Sequence, residues 1–196
     1  MAEAAAHLTD HVFPRLPVRQ LVLSVPKRLR YYLQRDKGAL NAPLRIFLRV
    51  VQQSLQTHCP GAAKADPASL HLGALAFIHR FGSSLNTHVH FHVCVMDGVF
   101  EALPDGVIFH AATGLDERAT AQVQANMRKR LLRAFVARGH IESHDAKDMA
   151  AYAHGGGFSV DAGVRIEAPD RAGLERLLRY CARPPFACGT VQATRR

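Results

Sequence analysis

No stretch of the sequence is apolar for long enough to span a bilayer, which argues against a helical membrane protein. The opening residues, Met1 to His11, are Ala-rich and polar and lack the charged and apolar regions of a secretory signal. Cysteine is scarce. Cys59, Cys94, Cys181 and Cys188 show no paired metal spacing, so reduced thiols in a cytoplasmic protein are the expectation. There is no internal repeat and no long linker. The 196 residues, 48% of them hydrophobic, suffice for one well-cored domain or a domain with an appendage.

Acidic residues are also few. Asp and Glu number 16 against 25 Lys and Arg, a formal net charge of +9. That excess suits a polyanionic partner, because basic side chains release counterions when they neutralise phosphates. The plainer alternative is a basic protein with a solvated surface.

The periodicity alternates between strand and helix. Val18 to Val25 reads as a strand with Leu21, Leu23 and Val25 on one face, and Pro26 ends it and opens a helix. A helix is expected from about Pro43 to His58, striped by Leu44, Phe47, Leu48, Val51 and Leu55. Leu70 to Phe81 and His88 to Phe100 read as β runs joined by a turn at Gly82-Ser83-Ser84. Asp97-Gly98 carries a hairpin signal that would extend a meander into Gly106 to Phe109. Asp116 to Arg138 is a helix closed by Gly139, Asp145 to Ala153 a short helix, Phe158 to Glu167 one strand or a pair, and Asp170 to Ala182 the last helix. The class is α+β: a mainly antiparallel sheet with helices packed against it.

Twelve histidines are present, and three sit together in His88-Val89-His90-Phe91-His92. On a strand, side chains two apart share a face, so the three imidazoles point one way and Val89, Phe91 and Val93 the other. His90 and His92, with Cβ atoms roughly 7 Å apart by strand rise, can chelate one ion. Imidazole suits several divalent metals. The spacing permits metal-assisted chemistry at a phosphate. It equally matches a histidine-triad nucleotide hydrolase, in which a histidine is the nucleophile. A cupin-like site would need further ligands from a later strand, and nothing clearly supplies them. The bland alternative is an exposed polar strand face.

In the last helix Leu174, Leu177, Leu178 and Cys181 form one apolar stripe, and Tyr180 lies off it. Arg176 and Arg183, four before and three after, are its surface neighbours. Guanidinium groups beside a phenol favour phenolate and bind phosphate oxygens bidentately. The alternative is a tyrosine that merely reaches water.

Taken together, three segments resemble the HUH-type transposases of bacterial rolling-circle insertion sequences. They are His11-Val12-Phe13-Pro14-Arg15-Leu16-Pro17-Val18-Arg19-Gln20 running on to Arg30, Leu85-Asn86-Thr87-His88-Val89-His90-Phe91-His92 running into Phe100, and Leu174 to Pro185. The resemblance implies an HUH-type core over residues 1–187, with 188–196 a short tail outside the family pattern. It implies a divalent metal, Mg or Mn, on His90 and His92, with His88 as a possible third ligand, and Tyr180 as nucleophile. Such enzymes nick single-stranded DNA, leave a 5′-phosphotyrosine and a free 3′-OH, and later rejoin the strand. The implied partner is single-stranded or hairpin DNA at element ends, in the bacterial cytoplasm with the nucleoid. Lys27, Arg28, Arg30, Arg128, Lys129, Arg130, Arg176 and Arg183 are the expected backbone contacts. Relatives often carry two tyrosines four residues apart. Arg176 takes the earlier place here, so a single-tyrosine variant is expected. Relatives also carry a Cys-rich zinc ribbon before the core and continue beyond Pro185, so a truncated copy is expected, either active or a DNA-binding remnant.

Overall fold

The computed structural model describes residues 2–82 and 87–183. Ser83 and Ser84 of the expected turn, Leu85-Asn86, Pro184-Pro185, and the tail with Cys188 lie outside the described residues.

The chain opens with α1 (Ala2–His7), which passes into a π-helical turn (Leu8–Val12), and then enters β1 (Val18–Ser24). Pro26 follows in extended conformation and precedes α2 (Lys27–Arg35) and α3 (Lys37–Thr57). Helix α3 begins six residues before the expected Pro43. The Asp36 carboxylate caps it, accepting from the amides of Gly38 at 2.6 Å and Ala39 at 3.1 Å. Pro43 then sits inside the helix, where burial of Phe47, Val51 and Leu55 offsets the amide bond it cannot donate.

The two expected β runs each divide. Leu70 to Phe81 becomes β2 (Leu70–His71) and β3 (Ala74–Phe81); His88 to Phe100 becomes β4 (Thr87–Met96) and part of β5 (Gly98–Leu103). With β6 (Gly106–Ala111), β2 and β5 form a three-stranded sheet in the order β2-β5-β6. After α4 (Glu117–Ala137) and α5 (Ser143–Ala151), β7 (Ser159–Ile166) joins a four-stranded sheet ordered β3-β4-β1-β7. Helix α6 (Arg171–Cys181) follows, its first turn capped by Asp170 accepting from Gly173. Every ladder is antiparallel, and the α+β class stands.

Asp97-Gly98 therefore makes no hairpin. It is the joint at which the chain leaves one sheet for the other, and the true hairpin joins β5 to β6. The reason is electrostatic. The buried Asp97 carboxylate accepts from Arg19 (Nε at 2.9 Å, Nη2 at 3.1 Å) and from Arg165 Nε at 2.6 Å, so it is committed to β1 and β7. Arg19 Nη1 also donates to the Ala162 carbonyl at 3.1 Å.

The larger sheet is covered on both faces. Leu21, Leu23, Val89, Phe91 and Val93 meet Leu29, Phe47, Val51, Met127, Leu131 and Phe135 of α2, α3 and α4 in the main core. On the opposite face Val18, Cys94 and Met96 meet Leu174, Leu177, Leu178 and Cys181 of α6, with Ala5 and Phe13. Val89, Phe91 and Val93 are fully buried. A one-residue slip of β4 would move all three to the other face and drive the imidazoles of His88, His90 and His92 into the main core, where they would lack partners. This burial is what holds the histidines to the face shared with α6.

Candidate metal centre and tyrosine

His88, His90 and His92 project from β4 on one face, as the alternation requires, but only two of them join the closest cluster. His79 of β3 pairs directly across from His90. Its ring centroid lies 5.0 Å from that of His90 and 4.5 Å from that of His92, and His90 and His92 are 5.0 Å apart. One ring nitrogen from each of His79, His90 and His92 falls within 4.8 Å of the other two, close enough to hold a metal ion. His88 stands one step outward, its ring 5.2 Å from that of His90. The sequence reading missed His79 because an isolated histidine in β3 carries no spacing signal. Only the register that sets it opposite His90 brings it in.

Hydrogen bonds orient the rings. Nε2 of His79 donates to the Cys181 carbonyl at 2.7 Å, and Nδ1 of His90 donates to the His88 carbonyl at 2.8 Å. These bonds leave Nδ1 of His79 and Nε2 of His90 as lone pairs. Gln20 of β1 reaches His92 Nδ1 at 2.9 Å and Cys181 Sγ at 3.2 Å through its side-chain amide. His92 is 3% exposed, and its Nε2 is buried with no hydrogen-bond partner. An orphaned imidazole nitrogen among two other imidazoles fits a metal ligand. So does the electrostatics. Burial holds His90 below the usual imidazole range, and the neighbouring histidines push the same way; for His88, burial acts first and the Arg30 guanidinium second. Neutral imidazole is the form that binds a cation.

Cys94 and Cys181 meet behind His92. The hydrogen bond to Cys181, and then burial, push the Cys94 thiol well above its usual range.

Tyr180 emerges from the last turn of α6. The apolar stripe of that helix is pinned to the sheet, so Tyr180 is left half-exposed with its ring centroid 5.6 Å from that of His92, edge to face. The Arg183 guanidinium carbon lies 6.0 Å from the centre of the Tyr180 ring. Arg176 is exposed one turn earlier, and the neighbouring Arg179 is paired with Glu175.

The other basic residues divide. Arg30 donates to the Val25 carbonyl at 3.0 Å and acts electrostatically on His88, so it borders the histidine face. Lys27 is exposed, and Arg28 is ion-paired with Asp145 at 2.7 Å. Arg128, Lys129 and Arg130 ride on α4, which packs on the opposite face of the sheet from the histidines. Arg128 is occupied there, donating to the carbonyls of Met149 at 2.5 Å and Tyr152 at 2.9 Å and also to Ala150.

Among the described residues no helix is long and apolar enough to cross a membrane. Neither the curated proteins nor the solved structures include a match to this chain. A protein-family model does match, over residues 73–195, which is more than half of the chain and contains His79, His90, His92 and Tyr180. The chain belongs to the transposase family that this model describes, under the heading "Putative transposase".

Proposed function

We propose that the chain is an HUH-type rolling-circle transposase core that nicks and rejoins single-stranded DNA through a 5′-phosphotyrosine on Tyr180. The observation that carries this reading is the approach of Tyr180 to a three-histidine cluster on an otherwise packed sheet. In it, His90, His92 and His79 hold a divalent ion, and His88 lies outside the ligand set. Three imidazole donors suit Mn better than Mg, which prefers oxygen. When bound, the ion acts as a Lewis acid on a phosphate oxygen.

The remaining work falls to the protein. The phenol oxygen of Tyr180 attacks the scissile phosphorus, and the bond to the 3′ oxygen breaks. The phenolic proton leaves to solvent, and the departing oxygen gains one to become the free 3′-OH. Arg183 and Arg176 hold non-bridging phosphate oxygens with charge-assisted hydrogen bonds. Rejoining is the reverse, so no nucleotide cofactor is needed. For His92 to offer Nε2, the Gln20 amide turns its oxygen to the ring. That oxygen then accepts from Nδ1–H and from the Cys181 thiol. We take residues 1–187 as one catalytic core acting in the bacterial cytoplasm.

The test is covalent capture. Labelled single-stranded oligonucleotides spanning the element ends, incubated with Mn or Mg, should give a protein–DNA adduct on Tyr180 that is lost with chelator and in Tyr180→Phe. An adduct that persists in Tyr180→Phe would overturn the assignment. Metal-independent hydrolysis of a nucleotide conjugate would instead make the histidines a triad-type nucleophile. Salt-dependent DNA binding without an adduct under any metal would mark a remnant.

A further inference from the structure

Helices α3 and α4 lie side by side on the face of the sheet away from the histidines, and the groove between them is lined with arginine. Arg45 and Arg49 stand one turn apart on α3, both exposed, and Arg130 of α4 and Arg138, just past its C-terminal end, face them. The small side chains of Ala42 and Ala134 leave a hollow of about 340 Å³ between the four. Arg45 and Arg49 also border a second hollow of about 730 Å³, which continues along α3 past Gln52, Gln53 and Gln56. Arg45 and Arg49 thus form a ridge shared by two polar hollows, together called the trough.

Its charge is uncompensated. Among the described residues, none of the four arginines makes an ion pair. Arg130 donates to Gln53 Oε1 at 2.7 Å, and Arg138 reaches only the carbonyl of Ala134 in its own helix. Asp36 feels the charge of Arg138 but is engaged in capping α3 and in its contact with His140. Four like charges across one groove repel, and a polyanion relieves that repulsion. Arginine forks and glutamine amides match phosphate oxygens and sugar edges. Arg45 and Arg49, about 5–6 Å apart at their Cβ atoms by helix geometry, can take neighbouring phosphates. Among the described residues no aromatic side chain lines either hollow, so they offer no stacking platform of the kind that single strands need.

We propose that this trough is a second DNA site, one that grips the sugar-phosphate backbone of duplex DNA. It lies across the sheet from Tyr180, so it does not hold the strand being cut. The inference rests on the transposase reading only for the choice of DNA over another polyanion.

The test uses the full chain with Arg45→Gln/Arg49→Gln, and fluorescence anisotropy on a duplex of arbitrary sequence and on one of its strands. Between about 50 and 200 mM salt, the double variant should bind duplex at least about tenfold more weakly, with a log–log salt slope shallower by about two. Single-strand affinity and adduct formation at Tyr180 should stay as they are. An unchanged duplex slope, or equal losses on duplex and single strand, would overturn the proposal. So would weakened binding of a polyglutamate peptide alongside unchanged duplex binding, because the trough would then take an acidic protein segment. If the double variant misfolds, Arg45→Gln alone should lower the slope by about one. Tyr180→Phe should keep duplex affinity. Failure of the unsubstituted chain to form an adduct, with duplex binding by the trough intact, would therefore count against the nicking chemistry and leave the trough standing.

Discussion

Nε2 of His79 donates to the backbone carbonyl of Cys181, the residue that follows Tyr180. One imidazole thus links the proposed metal ligands to the end of the helix that carries the proposed nucleophile. His79→Ala should weaken Mn binding by about 10–100-fold or more in isothermal titration calorimetry, and His88→Ala should leave it within about tenfold. Equal losses in the two variants would remove His79 from the ligand set.

Gln20 supports His92 from the adjacent strand and should act as a positioning residue. Gln20→Leu keeps the size but loses the hydrogen bond, and should lower metal affinity by about 10–100-fold. Gln20→Glu can still accept from the ring and should recover much of that loss. A Gln20→Leu protein with unchanged affinity would show that packing alone orients His92.

The histidine face should also make the metal-free protein acid-sensitive. Burial holds His88 and His90 below their ordinary range, so the unfolded chain binds protons more readily than the fold. Their contribution to stability is complete above about pH 6.5 and is lost as the pH falls through their lower folded values. Urea midpoints measured from neutral pH downward should fall, and should fall less in a His88→Gln/His90→Gln protein. Parallel curves for the two proteins would exclude these histidines as the source.

Much of this site was legible in the sequence and some was not. The alternation of His88 to Val93 predicted the face, because a strand with a buried partner side has only one register. Tyr180 was legible as the residue off an apolar stripe. His79 and Gln20 were not, since each enters through cross-strand pairing that no local spacing encodes. The helix over Lys37–Thr57 was misread at its start because Pro43 is a stronger local signal than the Asp36 cap. Asp97-Gly98 resembles a turn dipeptide, but its carboxylate is claimed by Arg19 and Arg165 from strands distant in sequence.

That joint between the sheets should be sensitive. Asp97→Ala leaves the buried Arg19 without its counter-charge and should cost about 3–5 kcal/mol in urea denaturation. Gly98→Ala should cost about 1–3 kcal/mol, since an added Cβ would meet the His110 carbonyl oxygen at 2.2 Å and the Phe109 ring at 2.6 Å. Near-wild-type stability in either variant would mean that the crossing is held by other contacts.

Strand β1 lies between β4 and β7, hydrogen-bonded to both, and carries Arg19 and Gln20. It precedes the family-matched region by some fifty residues. A protein trimmed to residues 73–195 would therefore lack the keystone of its larger sheet, leaving the inner edges of β4 and β7 open to pair with other chains. The smallest piece that can be expressed as a soluble unit has to include the strand at Val18, however well the later residues alone identify the family.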